Sequence, residues 1–126
     1  MTKRKFPSEL ITHLHESSAL RIRAGSGEHR FIGIWVVVVK DRVFVRSWSV
    51  KPDGWYRRFR KVPTGAIQVS GDEIAVCAVP VTNKSLGDAI DRAYLEKYNS
   101  KGSLKYAKDL GSSKSRATTT ELVPGD

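Results

Sequence analysis

The sequence predicts a mainly β domain, a small and mostly antiparallel β-barrel with short helices. Three observations lead there. Short β-branched or alternating apolar runs recur along the chain, tight reversals separate them, and no regular alternation of strand and long helix supports a parallel doubly wound sheet. Closure into a barrel would also shield the flat run Val36–Val39 from edge-to-edge pairing.

Taken in order, Pro7 suits the first turn of a helix whose apolar stripe is Leu10, Ile11 and Leu14, ending before Ser17 and Ser18. Residues 19–23 alternate, with Leu20 and Ile22 on one face and Arg21 and Arg23 on the other. A Gly25-Ser26-Gly27 break precedes a central strand, Phe31–Val39, which is too short to cross a membrane. Four successive valines, Val36 to Val39, fit a pleat covered on both faces. Lys40, Asp41 and Arg42 reverse the chain into the strand Val43–Val50, and Lys51-Pro52-Asp53-Gly54 forms a turn or loop. Trp55, Phe59 and Val62 fall at helical spacing, so residues 55–62 read as a short helix packing that stripe inward. Residues 66–70 and 73–79 form a pair of strands reversing at Gly71-Asp72, with Pro80 at a strand end. Ser85 and Asp88 resemble a capping box for a helix ending near Gly102, whose apolar face carries Leu86, Ala89, Ile90, Ala93 and Tyr94. After the Gly/Ser/Lys stretch 111–115, Thr118–Val123 supplies a last strand, the sixth.

At 126 residues and 40% hydrophobic, the chain fits one domain, 1–126, with a core of its own, and a partner subunit is compatible with it. No apolar stretch reaches membrane-spanning length and the start lacks an apolar signal region, so no membrane partner and a cytoplasmic location are expected. The single Cys77 agrees with a reducing compartment. Residues 1–63 carry 14 Lys and Arg against 5 Asp and Glu, whereas residues 64–126 carry 8 of each, so the whole net charge of +9 lies in the first half. That asymmetry points to an anionic partner, a nucleic acid or a phosphorylated small molecule, or else to solvated surface.

Arg46 shares a strand face with Phe44 and Trp48, which places a guanidinium among aromatic groups, where it serves an anion, a ring or an internal salt bridge. Trp48 and Tyr56 are candidates to flank a planar ring, while Trp35 and Trp55 are assigned to the core. Arg57, Arg58, Arg60 and Lys61 cluster in a turn and a half and would also suit nucleic-acid phosphates, although no known nucleic-acid-binding signature accompanies them. His13 and His15 stand two apart on a helix, face different ways and lack further ligands, so no metal site is expected. Cys77 alternates with Ala75 and Val79 as a small packed hydrophobe, and no Ser-His-Asp order or paired carboxylates assign a catalytic residue.

The stretches Leu20-Arg21-Ile22, Ile34–Val39, Val43–Ser47, Trp55–Arg58, Asp91–Tyr94 with Lys97-Tyr98, and Ala117-Thr118-Thr119 before Leu122-Val123-Pro124 resemble an uncharacterised bacterial family, domain of unknown function 2255. More distantly, Gly54–Arg58, Pro63, Ala66–Val69 and Gly71–Ala78 are similar to the middle of deazaflavin-dependent nitroreductases, which belong with pyridoxamine-phosphate-oxidase-like split barrels. That resemblance implies a six-stranded Greek-key split barrel, FMN-binding-like, typically a homodimer holding a phosphorylated cofactor, FMN or deazaflavin, at its interface. In such proteins a strand-borne Arg or Ser and basic residues at the next helix start hold the phosphate, places that Arg46, Ser47, Ser49, Arg57 and Arg58 would occupy here. The glycine-rich, arginine-containing phosphate segment of the nitroreductases has no counterpart, only Gly25-Ser26-Gly27 with His29-Arg30. The implied function is a flavin-type cofactor-binding protein, with oxidoreductase activity on an unassigned substrate. The alternative is a non-enzymatic basic module for nucleic acid or another anion.

Overall fold

A computed structural model describes residues 5–25, 30–49, 51 and 54–125. In chain order it contains α1 (Ser8–Glu16), β1 (Leu20–Ala24), β2 (Ile32–Ile34), β3 (Val36–Val39), β4 (Arg42–Val45), α2 (Trp55–Lys61), β5 (Thr64–Val69), β6 (Asp72–Pro80), α3 (Lys84–Lys97), α4 (Leu104–Asp109), α5 (Ser113–Arg116) and β7 (Thr120–Pro124). The strands are antiparallel in the order β2-β1-β5-β6-β7-β4-β3. Only Trp35 separates the two end strands in the chain, so one strand path, broken at that residue, pairs with β1 on its first half and β4 on its second. The result is a nearly closed barrel, and the mainly β class expected from the sequence holds with seven strands in place of six.

Pleating divides the side chains into two layers. Every strand contributes to the inner one, with Leu20, Ile22, Ile34, Val36, Val43, Val45, Ile67, Val76 and Leu122 buried together with Leu14 of α1 and Trp55 and Phe59 of α2. Val37 and Phe44, alternate neighbours on β3 and β4, face the other way into a second cluster with Ile90, Tyr94, Tyr98, Ala107 and Leu110, beneath α3 and α4. The four valines are thus covered on both faces, as their unbroken run predicts.

The β3–β4 turn is Lys40-Asp41, with both residues at positive φ, and Ser70-Gly71 does the same between β5 and β6. Two consecutive positive φ values give the primed turn whose twist matches a two-residue hairpin, one residue earlier than the expected Gly71-Asp72 reversal.

Several boundaries differ from expectation. Strand β4 stops at Val45 because the next residues leave the ladder for β7's approach segment, Ser47 N–H bonding to Thr118 Oγ1 at 2.8 Å. The expected strand end, Val50, lies outside the described residues, as do Ser26, Gly27, His29, Pro52 and Asp53. Val62 is exposed, since α2 ends at Lys61 and the stripe is completed by Trp55 and Phe59 alone. Helix α3 is capped by Asn83, whose Oδ1 accepts from Leu86 N–H at 2.9 Å, and it ends at Lys97. Helices α4 and α5 arise where the sequence suggested only a polar connection.

Candidate functional site

Residues 117–119, the approach to β7, gather much of what the sequence singled out. The Tyr56 hydroxyl donates to Ala117 O at 3.4 Å, Ser47 N–H to Thr118 Oγ1, and Arg46 Nε to Thr119 Oγ1 at 2.8 Å. Ser115 and Arg116 make this possible, because their carbonyls accept the Thr118 and Thr119 hydroxyls and fix both rotamers.

Arg46 is 1% exposed, and its partners are internal. Besides Thr119 it donates to Asp91 Oδ1, to Leu110 O at 2.8 Å and to Gly87 O at 3.0 Å, so four of its five N–H groups have protein acceptors. The salt-bridge reading of this residue is the one the geometry displays. Arg46 stands behind the wall of a groove, holding two of its lining residues, Gly87 and Thr119, in place.

The groove has two adjoining hollows. One, of about 510 Å³, lies beside the first turn of α3 and is lined by Thr82, Asn83, Lys84, Gly87, Ser113, Arg116 and Thr119. The other, of about 100 Å³, is walled by Tyr56, Phe59, Pro63, Ala78 and Pro80, with Arg60 and Thr120. Consecutive residues separate the two, Pro80 and Thr120 lining the second and Val81 and Thr119 the first, so a polar hollow at the start of α3 has an aromatic one beside α2 as its neighbour.

Charge at the polar end is partly compensated. Arg116 donates to Asp91 Oδ2 at 2.6 Å and to Asp88 Oδ1 at 2.7 Å. The Arg116 bond holds the Asp88 carboxyl below its usual range, and Asp88 in turn raises the Arg116 guanidinium. Gly87 leaves room for the Arg116 guanidinium, because a Cβ there would stand 2.8 Å from Nη2 and push that side chain aside. Lys84 adds a further cation there, whose charge also helps to hold the Asp88 carboxyl low.

The other residues expected at a site are dispersed. Ser47 and Ser49 bond to one another, Ser47 Oγ donating to Ser49 O at 2.6 Å. Trp48 is 36% exposed, edge-on to Trp35 at 5.2 Å and to Tyr106 at 6.4 Å, on a separate aromatic surface. Arg57 is exposed and Arg58 half-buried on α2. Of the expected site residues, Tyr56 is the one that lines the groove. Asn83, Lys84, Ser113 and Arg116 were not singled out, since their proximity depends on α3 and α5 meeting across a sequence separation no local pattern reports. Arg60 was legible as part of the basic cluster. His13 and His15 are exposed on α1, and Cys77 is half-buried in β6. Among the described residues, no helix is long and apolar enough to cross a membrane.

Comparison with solved structures finds the same fold in the crystal structure of the conserved hypothetical protein Rv2991 from Mycobacterium tuberculosis, with a TM-score of 0.55 over 96% of this chain and 83% of that one, at 11% identity. Among curated proteins there is no match. A family model described as an uncharacterised protein conserved in bacteria matches residues 11–122, a span running from α1 through the barrel to β7 and taking in both hollows. The chain therefore belongs to that family, domain of unknown function 2255.

Proposed function

We propose that the groove binds a phosphorylated, planar ligand of the flavin class, FMN or a deazaflavin, with the phosphate at the α3 end and the ring toward Tyr56 and Phe59. The observation that carries this reading is a hollow lined by Lys84, Ser113 and Arg116 whose neighbour is walled by Tyr56 and Phe59, with the Tyr56 hydroxyl reaching Ala117 O of the first at 3.4 Å. The residues present fit such a group in kind. A phosphate is favoured by the positive end of a 14-residue helix, by Lys84 and by the Ser113 hydroxyl, and a ring is favoured by aromatic and proline walls. Arg60 sits at the aromatic end, where its guanidinium suits a ring edge or a carbonyl. Arg46 acts through Gly87 and Thr119 as a positioning residue.

The polar hollow falls within the usual size of a ligand pocket, and the aromatic one is too small to enclose three fused rings alone. A second copy of the chain, as in the split barrels this sequence resembles, would cover the open side, so the proposal includes a homodimer. When bound, a flavin supplies the hydride and electron chemistry. The protein's part is to fix the ring, exclude water from one face and neutralise the phosphate.

Titration of the protein with FMN and with a phosphorylated deazaflavin, followed by absorbance and ring fluorescence, tests this directly. Micromolar binding, weakened about tenfold by Lys84→Ala, is expected, since a charge-assisted hydrogen bond contributes about 1.5–3 kcal/mol. Absence of binding at tens of micromolar would contradict it.

One observation favours a second reading. Helix α2 carries Arg57, Arg58, Arg60 and Lys61 with no acidic residue, a surface suited to nucleic-acid phosphates. Nucleic-acid affinity falling steeply with salt, and lost in Arg57→Ala/Lys61→Ala, would establish that reading instead.

A further inference from the structure

We propose that Lys97 is a reactive amine, placed to form an imine with a small aldehyde or ketone entering the hollow between α1, β3 and α3. This site lies apart from the groove and is independent of the flavin reading.

The hollow measures about 280 Å³, with Val37, Val38 and Ala93 as apolar walls and His15, Glu96 and Lys97 as its polar groups. Lys97 Nζ donates to Leu14 O at 2.9 Å and to Val36 O at 2.8 Å. Both acceptors are backbone carbonyls, and the Val36 carbonyl is further fixed by the Tyr98 hydroxyl at 3.1 Å.

An ammonium carries three N–H groups, and the two carbonyls engage two of them. A neutral amine keeps two, so deprotonation removes the charge assistance of both bonds without breaking either. The lone pair then takes the third direction, away from both carbonyl oxygens, on a side chain that lines the hollow. Burial pushes Lys97 down to about 8. Against an ordinary lysine near 10.4, the neutral fraction at pH 7 rises from under about 0.1% to about a tenth.

The same contacts serve the fold, because Leu14 O belongs to the last turn of α1, where carbonyls lack helical partners and a cation is favoured. A purely structural lysine would be held as ammonium and shielded from reagents, which separates the two roles by experiment.

The reaction balances without an oxidant or reductant. The amine nitrogen bonds to the carbonyl carbon while the C=O π pair moves to oxygen, which takes up a proton. Loss of that hydroxyl as water, with a proton from nitrogen, leaves C=N. His15 and Glu96 at the same hollow are placed to carry those protons. The apolar walls favour a short hydrocarbon body on the carbonyl compound.

Butanal with cyanoborohydride, which reduces an imine to a stable secondary amine, is the probe. The full chain is treated at pH 7 and the alkylation rate of each lysine is read by peptide mass spectrometry. Lys97 is expected to react at least tenfold faster than the exposed Lys84, Lys101 and Lys105, and to lose that advantage in concentrated urea. A native rate at Lys97 equal to or below the exposed lysines, or an advantage that persists in urea, would overturn the proposal.

Discussion

The inner face of the barrel and the layer beneath α3, α4 and α5 are held by different physics. Inside, Ile22, Ile67, Val36, Val43 and Val45 are completely buried, and apolar contact suffices. Outside, the packing of Val37, Phe44, Ile90 and Leu110 is threaded with polar groups: Tyr94 Oη donates to Trp35 O at 3.1 Å, Tyr98 Oη to Val36 O, and Arg46 joins β4 to α3, α4 and the approach to β7. The dry face makes the barrel, and the polar layer fixes how the helices sit upon it. The polar hollow at the start of α3 inherits its shape from the second, whereas Phe59 and Ala78 of the barrel core wall the aromatic one.

Arg46→Ala should give the largest effect. It strands two backbone carbonyls and removes one of the cations paired with Asp91, a loss of about 3–5 kcal/mol for a broken buried pair, toward the lower end because Asp91 is partly exposed and retains Arg116. Urea denaturation measures it, and a change under about 1 kcal/mol would mean the outer layer is held by apolar contact after all. Ile67→Ala, on the dry face, should cost about 2–5 kcal/mol through lost transfer energy and a cavity, while leaving groove affinity unchanged. Gly87→Ala is the sharper probe of the outer layer: the new methyl displaces Arg116, at about 1–3 kcal/mol, and should weaken FMN binding as well. Asn83→Ala removes the α3 cap for about 1 kcal/mol.

How far each layer was legible in the sequence follows the same division. Alternation in Leu20–Arg23, the four valines and the reversal over Lys40, Asp41 and Arg42 are local signals, and the mainly β class follows from them. The outer layer is built from partners far apart in the chain. Arg46 shows its charge and its aromatic neighbours, but nothing near it announces Asp91, Gly87 or Leu110, so a ligand-facing and an internal role look alike. Asn83 displaced Ser85 as cap because its amide oxygen reaches Leu86 N–H one turn into the helix. Helices α4 and α5 were hidden by glycine and serine whose turn chemistry dominates the local pattern.

The polar layer also sets the alkaline behaviour. Lys97 binds its proton more weakly in the fold, at about 8, than an ordinary lysine near 10.4, so the unfolded chain holds more protons between those values and stability should rise across that window. Burial raises Tyr94, and raises Tyr98 to about 12, so both stay protonated in the fold where an unfolded tyrosine near 10 ionises. Their contribution is complete below about pH 10 and is lost above it. Thermal denaturation across pH 7–12 should therefore show a maximum near about pH 10, and a monotonic fall from pH 8 would contradict it.

Whether the polar layer shapes a phosphate site is tested most directly by calorimetric comparison of FMN with riboflavin, which carries the same ring without the phosphate. Tighter binding of FMN by about 10- to 100-fold is expected if Lys84 and the start of α3 grip the phosphate, the range corresponding to a charge-assisted contact of about 1.5–3 kcal/mol. Equal affinities, or binding of neither, would contradict it.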